Sequence, residues 1–281
     1  MEIINEIDDY LSKKLYKSDF FQLYSFTTEN INSYMPFFDL KNKSLLTTGS
    51  SSDQAINATL AKCNDITVCD ICPLTKYFYN LKIASLLVFN REDFLNFFCS
   101  RNRNKSFLSK TLFNRVKTTL KSIDYESYLI WEYLFNKYNK NDIEKLFRTD
   151  INDLESIIYC NRYLKNDYNY NQARGTILNT SINFIIENIT KLSIDKSFDN
   201  IWLSNIANHL NSQEIDSAVK KSIEILNNNG KILLCYFWNT SMTVKGFPIE
   251  ELSNIESEKI KIQGISKLEG KNSILVYTKK I

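Results

Sequence analysis

The feature that most constrains this chain is an alternation of short apolar strands and helices near its start. "SLLTT" (44–48) is strand-like, 53–63 turns helical, "DITVCDI" (65–71) is a second apolar strand, and 74–89 is a long helix with apolar residues at helical spacing. Strand, helix, strand and helix joined by such short connections imply a parallel sheet covered on both faces. The pattern resumes later. "SINFII" (181–186), "FDNIWLSNI" (198–206), a helix over 212–230 and "KILLCYFW" (231–238) follow one another, and the tail 258–280 reads as two strands joined by a turn at Glu269 and Gly270. Gly230 stands where a helix C-cap glycine belongs.

Between the two halves the alternation stops. Helices fit at 91–99, 106–121, 125–138 and 151–164, and shorter ones at 3–16 and 28–38 precede the first strand. The expected fold is α/β: a Rossmann-like sheet of seven strands, mostly parallel, with a terminal antiparallel hairpin and a helical insertion. Residues 1–90 hold the N-terminal helices and the first half of the cofactor-binding core, 91–175 the insertion or cap, and 176–281 the second half.

The stretch "LLTTGSSSDQAINATL" (45–60) leaves a strand at a glycine and enters a helix, in a chain with only six glycines. Such a turn presents backbone N–H groups at the C-terminal edge of a sheet and predicts a small anion pocket. Gly49 permits a tight backbone shape and close approach of a ligand. Ser50, Ser51 and Ser52 can cap the helix or donate to that ligand, and Asp53 can cap or meet a positive charge. Asp70 ends the second strand 21 residues after Gly49, where an acid can accept from both hydroxyls of a ribose. No G-x-G-x-x-G or G-x-x-x-x-G-K-[ST] pattern accompanies these residues, so a small anion beside a nucleoside fits better than a dinucleotide or nucleoside triphosphate. S-adenosylmethionine combines those groups. Its carboxylate would sit at the Gly49 turn, its ribose on Asp70 with Ile71 alongside, and its ammonium near Asp53 or Glu29, with Asn188 at the adenine edge. The bland alternative makes Asp53 a plain N-cap and Asp70 a strand-end turn acid.

These segments resemble the class I S-adenosylmethionine-dependent transferases. More narrowly they resemble the bacterial family containing the diacylglycerol 3-amino-3-carboxypropyl transferases of betaine-lipid synthesis. The likeness lies in 45–60, in "VCDICPLTKYFYNLKIASLLVFNREDFLNFF" (68–98) and in "FDNIWLSNI", together about a third of the chain. Gly49, Ser51, Asp53, Asp70, Pro73, Leu81, Lys82, Ser204 and Asn205 match family positions. The resemblance implies a seven-stranded sheet with a reversed terminal pair, S-adenosylmethionine as cofactor, and Ser204 and Asn205 beside it. The sequence lacks the glycine-rich first motif of most methyltransferases, and 91–175 matches no pattern of the family.

Other constellations carry less. His209, the only histidine, follows the fourth strand, where a general base would come from; packing or capping is the bland reading. Cys69-x-x-Cys72 invites a metal or redox reading, but no further Cys/His pair completes four ligands, so no metal is expected. Residues 101–121 hold seven basic residues and no acids, while 123–160 hold eight acids against four bases, so pairing of neighbouring helices competes with an anionic partner. Tyr24, Thr27, Thr28, Glu29, Tyr168 and Tyr170 flank the sheet's entry and exit and are candidates for covering the cofactor or shaping the acceptor site.

Hydrophobic residues at 43 % and charged residues at 24 % are ordinary for a globular chain, and a net charge of +3 is too small to argue for nucleic acid. No stretch approaches the ~20 apolar residues of a membrane span, and the first 15 residues lack a basic-then-apolar layout, so a cytoplasmic setting is expected. The function expected is transfer from S-adenosylmethionine to a small-molecule or lipid-headgroup acceptor, anionic acceptors included. Methyl transfer stands ahead of 3-amino-3-carboxypropyl transfer, with His209, Asn205 and Tyr24 as catalytic candidates. A non-catalytic nucleoside-binding or interaction domain is the rival class, and RNA is the weaker partner.

Overall fold

The computed structural model describes residues 2–12, 22–99, 107–148, 153–204, 206, 210–237, 254–266 and 270–280. In chain order the strands are β1 (Ser44–Thr48), β2 (Asp65–Asp70), β3 (Ser181–Ile186), β4 (Phe198–Trp202), β5 (Leu226–Phe237), β6 (Ile255–Ile262) and β7 (Asn272–Lys279). They form one sheet in the order β3-β2-β1-β4-β5-β7-β6. Neighbours from β3 to β5 pair parallel, while β7 runs antiparallel to both β5 and β6. This is the Rossmann-like sheet with a reversed terminal pair.

The helices are α1 (Glu2–Leu11), α2 (Ile31–Tyr34), α3 (Asp53–Leu60), α4 (Leu74–Val88), α5 (Arg91–Phe98), α6 (Lys110–Ile123), α7 (Tyr125–Lys137), α8 (Lys140–Glu144), α9 (Leu154–Cys160), α10 (Asp167–Ile177) and α11 (Ser212–Glu224). Leu45 and Leu46 are adjacent in β1, so they point to opposite faces, and each belongs to a different core cluster. The smaller cluster lies under α11 and the turn at Ile189–Lys191. The larger joins α1 to α7 and α9 to α10 to the other face of the sheet.

α4 buries 12 of its 15 residues. A helix apolar around its whole circumference must be covered on two sides. Here α6 and α7 take one side, and Tyr79 packs against Phe184 of β3 on the sheet. Trp131 of α7 is fully buried and donates its indole N–H to the Tyr77 carbonyl of α4 at 2.9 Å. Within the 91–175 segment, α6 and α7 therefore form an outer layer on α4.

Two features differ from the sequence pattern. α11 ends at Glu224, and Gly230 lies inside β5 and caps no helix. Asn229 takes a left-handed φ of 61°, and a Cβ on Gly230 would lie 2.8 Å from the Asn227 carbonyl oxygen. The pairing of β4 with β5 shifts register there, so the Asn-rich stretch is a bulge within a longer strand. The second difference is α10, which occupies "DYNYNQARGTI", a polar run with a glycine for which the sequence pattern proposed no helix. It buries Tyr170, Ala173 and Ile177, a helical spacing too sparse to stand out, and it packs on α3.

Because the outer layer shares its core with the sheet, Trp131→Ala should destabilise the whole chain by ~3–5 kcal/mol and leave one cooperative urea transition. Two transitions, seen by tryptophan fluorescence and far-UV circular dichroism at different midpoints, would contradict the shared core.

Candidate functional site

The chain runs outward from β1 through β2 to β3, then returns to β4 on the other side of β1. Ligands of open α/β sheets bind beyond the carboxyl ends of the strands at such a reversal. A cavity of about 340 Å³ lies there. The turn after β1 lends it Ser50 and Ser51, and the end of β2 lends Asp70 and Ile71. Asn188 comes from beyond β3 and Ser204 from beyond β4. Tyr24, Thr27, Thr28 and Glu29 close one side.

The turn itself differs from the cradle predicted by its sequence. The left-handed backbone falls on Ser50 (φ 32°) and Ser52 (φ 67°), not on Gly49. Gly49 is required for space behind the cavity, since a Cβ would lie 2.1 Å from Thr75 Cγ2 and 2.9 Å from Asp70 Oδ2. Three amides of the turn are taken by the chain's own acceptors. Ser50 N–H donates to Asp70 Oδ2 at 2.8 Å, Ser52 N–H to the Gly49 carbonyl at 2.7 Å, and Asp53 N–H to Ser51 Oγ at 3.3 Å. Three N–H groups of the predicted anion pocket are therefore engaged within the chain, while Ser50 and Ser51 still line the cavity.

Asp53 corrects the sequence expectation more sharply. It is fully buried behind the cavity wall and does not line it. Its Oδ1 accepts from Lys82 Nζ at 2.7 Å and from the Tyr163 hydroxyl at 2.8 Å, and its Oδ2 accepts from Thr27 N–H at 2.6 Å. Lys82, equally buried, also donates to the Ser51 carbonyl at 2.7 Å. Its ammonium lies 4.6, 5.3 and 5.8 Å from the ring centres of Phe26, Phe78 and Phe98. Burial pulls the Lys82 ammonium below its ordinary pKa, and Asp53 opposes that pull. Burial first, and the Asp53 charge next, push the Tyr163 phenol well above its ordinary value. With its acceptors engaged by three internal donors, Asp53 is a structural acid.

Glu29 is the acid that does reach the cavity, although only 1 % exposed. Its Oε1 accepts from the Ser204 hydroxyl, and Gln54 Nε2 donates to Ser204 Oγ at 3.5 Å. Ser204 holds a left-handed φ of 58°, so the end of β4 is bent toward this contact. Burial, and then the Glu29 carboxylate beside it, push the Tyr34 phenol well above its ordinary value. Asp70 has each oxygen engaged once, by Ser50 N–H and by Cys72 N–H at 2.9 Å. A carboxylate offers about four acceptor positions, so further donors in the cavity can still be accommodated. Asn188 spends its side-chain oxygen on Thr190, capping the turn at Ile189–Lys191.

Arg148 lines the same cavity, although no pattern around it in the sequence marks it out. A parallel bridge pairs Leu23 with Phe147 and brings the end of the outer layer to the rim. Gln54 and Glu187 were equally hidden, each beside a residue with a stronger pattern. Tyr168 and Tyr170 do not reach the cavity: Tyr168 is 69 % exposed on α10, and Tyr170 is buried against Phe94. Asn205 and His209 lie outside the described residues, as does the basic stretch 100–106. Within the described part of that basic region, Arg115 pairs with Asp93 at 2.8 Å.

All six cysteines are buried, and none is in a disulfide. Burial pushes the Cys69 and Cys72 thiols, both in the cavity wall, up to about 12, so they stay protonated near neutrality. Among the described residues no group of three His, Cys, Asp or Glu side chains is placed to hold a metal, and no helix is long and apolar enough to cross a membrane.

No family model and no curated protein matches the chain. Among solved structures it is similar to the N-methyltransferase NodS from Bradyrhizobium japonicum WM9 in complex with S-adenosyl-L-homocysteine, at 9 % identity and a TM-score of 0.44, covering 97 % of this chain and 98 % of that one. It is similar to the glycopeptide N-methyltransferase MtfA with S-adenosyl-L-homocysteine, at 9 % identity and a TM-score of 0.38, over 98 % and 71 % of the two chains. It is similar also to the magnesium protoporphyrin IX methyltransferase from Synechocystis PCC 6803 with bound SAH, at 7 % identity and a TM-score of 0.37, over 99 % and 83 %. At these identities and scores the likeness carries no argument about what the cavity binds.

Removing one partner of the buried pair strands a charge, so Lys82→Met should cost ~3–5 kcal/mol. Adding Asp53→Asn to Lys82→Met should recover at least ~1 kcal/mol of that loss in urea denaturation. Strictly additive losses would show that the two groups do not depend on each other.

Proposed function

We propose that the chain is an S-adenosylmethionine-dependent transferase whose cavity holds the cofactor, with methyl transfer to a small-molecule or lipid-headgroup acceptor as its reaction. One observation carries the reading: Asp70, at the end of the second strand and facing a cavity at the strand reversal, keeps acceptor capacity beyond its two backbone donors. A ribose offers two neighbouring hydroxyl donors to such a carboxylate. Ile71, 51 % exposed at the cavity, offers an apolar surface to a purine, and Asn188 offers a side-chain amide at its edge. Glu29 supplies negative charge to the ammonium and sulfonium of the cofactor, a role Asp53 is too deeply engaged to play.

S-adenosylmethionine, when bound, supplies an electrophilic carbon next to a sulfonium. What this chain contributes is placement and charge. Ser50, Ser51 and Thr28 shape the wall beside Asp70, while the link between Ser204 and Glu29 fixes the acid under the end of β4. Tyr24 lines the mouth, where an acceptor would enter, and its hydroxyl accepts from Arg148 Nη1 at 3.1 Å. Asn205 and His209 remain the proposed groups of the β4 loop, His209 as a general base.

Calorimetric titration tests the reading. The purified chain should bind S-adenosylmethionine and S-adenosylhomocysteine with micromolar dissociation constants, and Asp70→Asn, with an unchanged circular dichroism spectrum, should bind both at least ~10-fold more weakly. Equal binding by Asp70→Asn would remove the ribose from Asp70. Product analysis decides the group moved, since S-adenosylhomocysteine accompanies methyl transfer and methylthioadenosine accompanies 3-amino-3-carboxypropyl transfer.

A further inference from the structure

We infer that Arg148 is the carboxylate-binding residue of this cavity and that it recognises the amino-acid end of the cofactor, an assignment that rests on the cofactor reading above. Three observations lead to it. The serine turn, where the sequence places an anion, has already given Ser50, Ser52 and Asp53 N–H to internal acceptors. The acids among the described lining residues are Glu29, Asp70 and Glu187, and Arg148 is the one base among them. A ligand carboxylate entering a cavity with three acids meets repulsion everywhere except at that guanidinium.

The third observation is how firmly Arg148 is held. Its backbone N–H donates to the Leu23 carbonyl at 2.8 Å, and Leu23 N–H donates to the Leu146 carbonyl at 2.8 Å. The guanidinium carbon lies 5.3 Å from the Tyr24 ring centre, and Nη1 donates to the Tyr24 hydroxyl. A stacked, hydrogen-bonded arginine loses less freedom on meeting a ligand, and its planar fork matches a carboxylate in a way a lysine does not. Glu29 sits in the neighbouring wall, seven residues of chain or fewer from Leu23 and Tyr24. Acid and base thus come from one short segment and the strand bridged to it. Together they form a receptor for a zwitterion, the ammonium facing Glu29 and the carboxylate facing Arg148.

The test compares three ligands on the wild-type chain and on Arg148→Met, which keeps an apolar stem over Tyr24. S-adenosylmethionine has the carboxylate, decarboxylated S-adenosylmethionine lacks only that group, and methylthioadenosine lacks the whole amino-acid end. In calorimetry the wild type should prefer S-adenosylmethionine to its decarboxylated form by at least ~10-fold. Arg148→Met should abolish the preference and change methylthioadenosine binding by less than ~2-fold. A preference that survives in Arg148→Met overturns the assignment and places the cofactor's carboxylate elsewhere. Equal weakening of all three ligands overturns it too, making Arg148 a support of the rim. Failure of the wild type to bind any of the three is a different result, because it removes the cofactor reading itself.

Discussion

The Lys82 ammonium meets the Asp53 carboxylate at 2.7 Å with both side chains shielded from water. Burying two charges costs several kcal/mol per ion before their attraction is counted, so a pair like this persists only where its geometry and further hydrogen bonds offset the cost. Both conditions hold here. The Ser51 carbonyl takes a second Lys82 proton, Thr27 N–H and the Tyr163 hydroxyl complete Asp53, and three phenylalanine rings surround the ammonium. Those partners come from the turn after β1, the segment before α2, the helix α4 and the outer layer. The pair therefore fixes, from behind, the two strips of chain that face the cavity, Ser50–Ser51 on one side and Thr27–Glu29 on the other.

That arrangement explains which parts of the molecule were legible beforehand. The bounds of β1 and β3 follow from compact apolar runs flanked by polar residues, and α4 from its length and apolar circumference. These signals are local. Asp70 was legible because a strand end at a fixed distance from a turn is also local. Asp53 stands beside Ser51 in sequence and looks equally placed for a ligand, yet Lys82 and Tyr163 claim it from 29 and 110 residues away. Arg148 shows the reverse case, a residue without a pattern carried to the rim by a bridge to Leu23. α10 and the β5 bulge failed for a different reason. Asn and Gly weaken both helix and strand signals, and packing on α3 and pairing with β4 override them.

Charge in the cavity is unequally distributed, and that distribution is what a ligand would feel. Among the described lining residues three acids face one arginine, a distribution that agrees with the proposed ligand, cationic at its sulfonium and ammonium and anionic at its carboxylate. Glu29 is held by Ser204, and Arg148 by Tyr24, so both poles are set before a ligand arrives. Preset poles give orientation with little reorganisation, which is the economical way to align a reacting carbon with an acceptor. The fold alone would not select a substrate, since unrelated reactions share it. The selection lies in these few side chains.

The most direct measurement is a crystal structure of the chain grown with S-adenosylhomocysteine. The account expects the adenosyl group in the cavity beyond β1 and β4, with both ribose hydroxyls within ~3.2 Å of the Asp70 carboxylate and Asp53 still bound to Lys82. A nucleoside seated elsewhere, or one in the cavity that leaves Asp70 bonded only to Ser50 and Cys72, would contradict it.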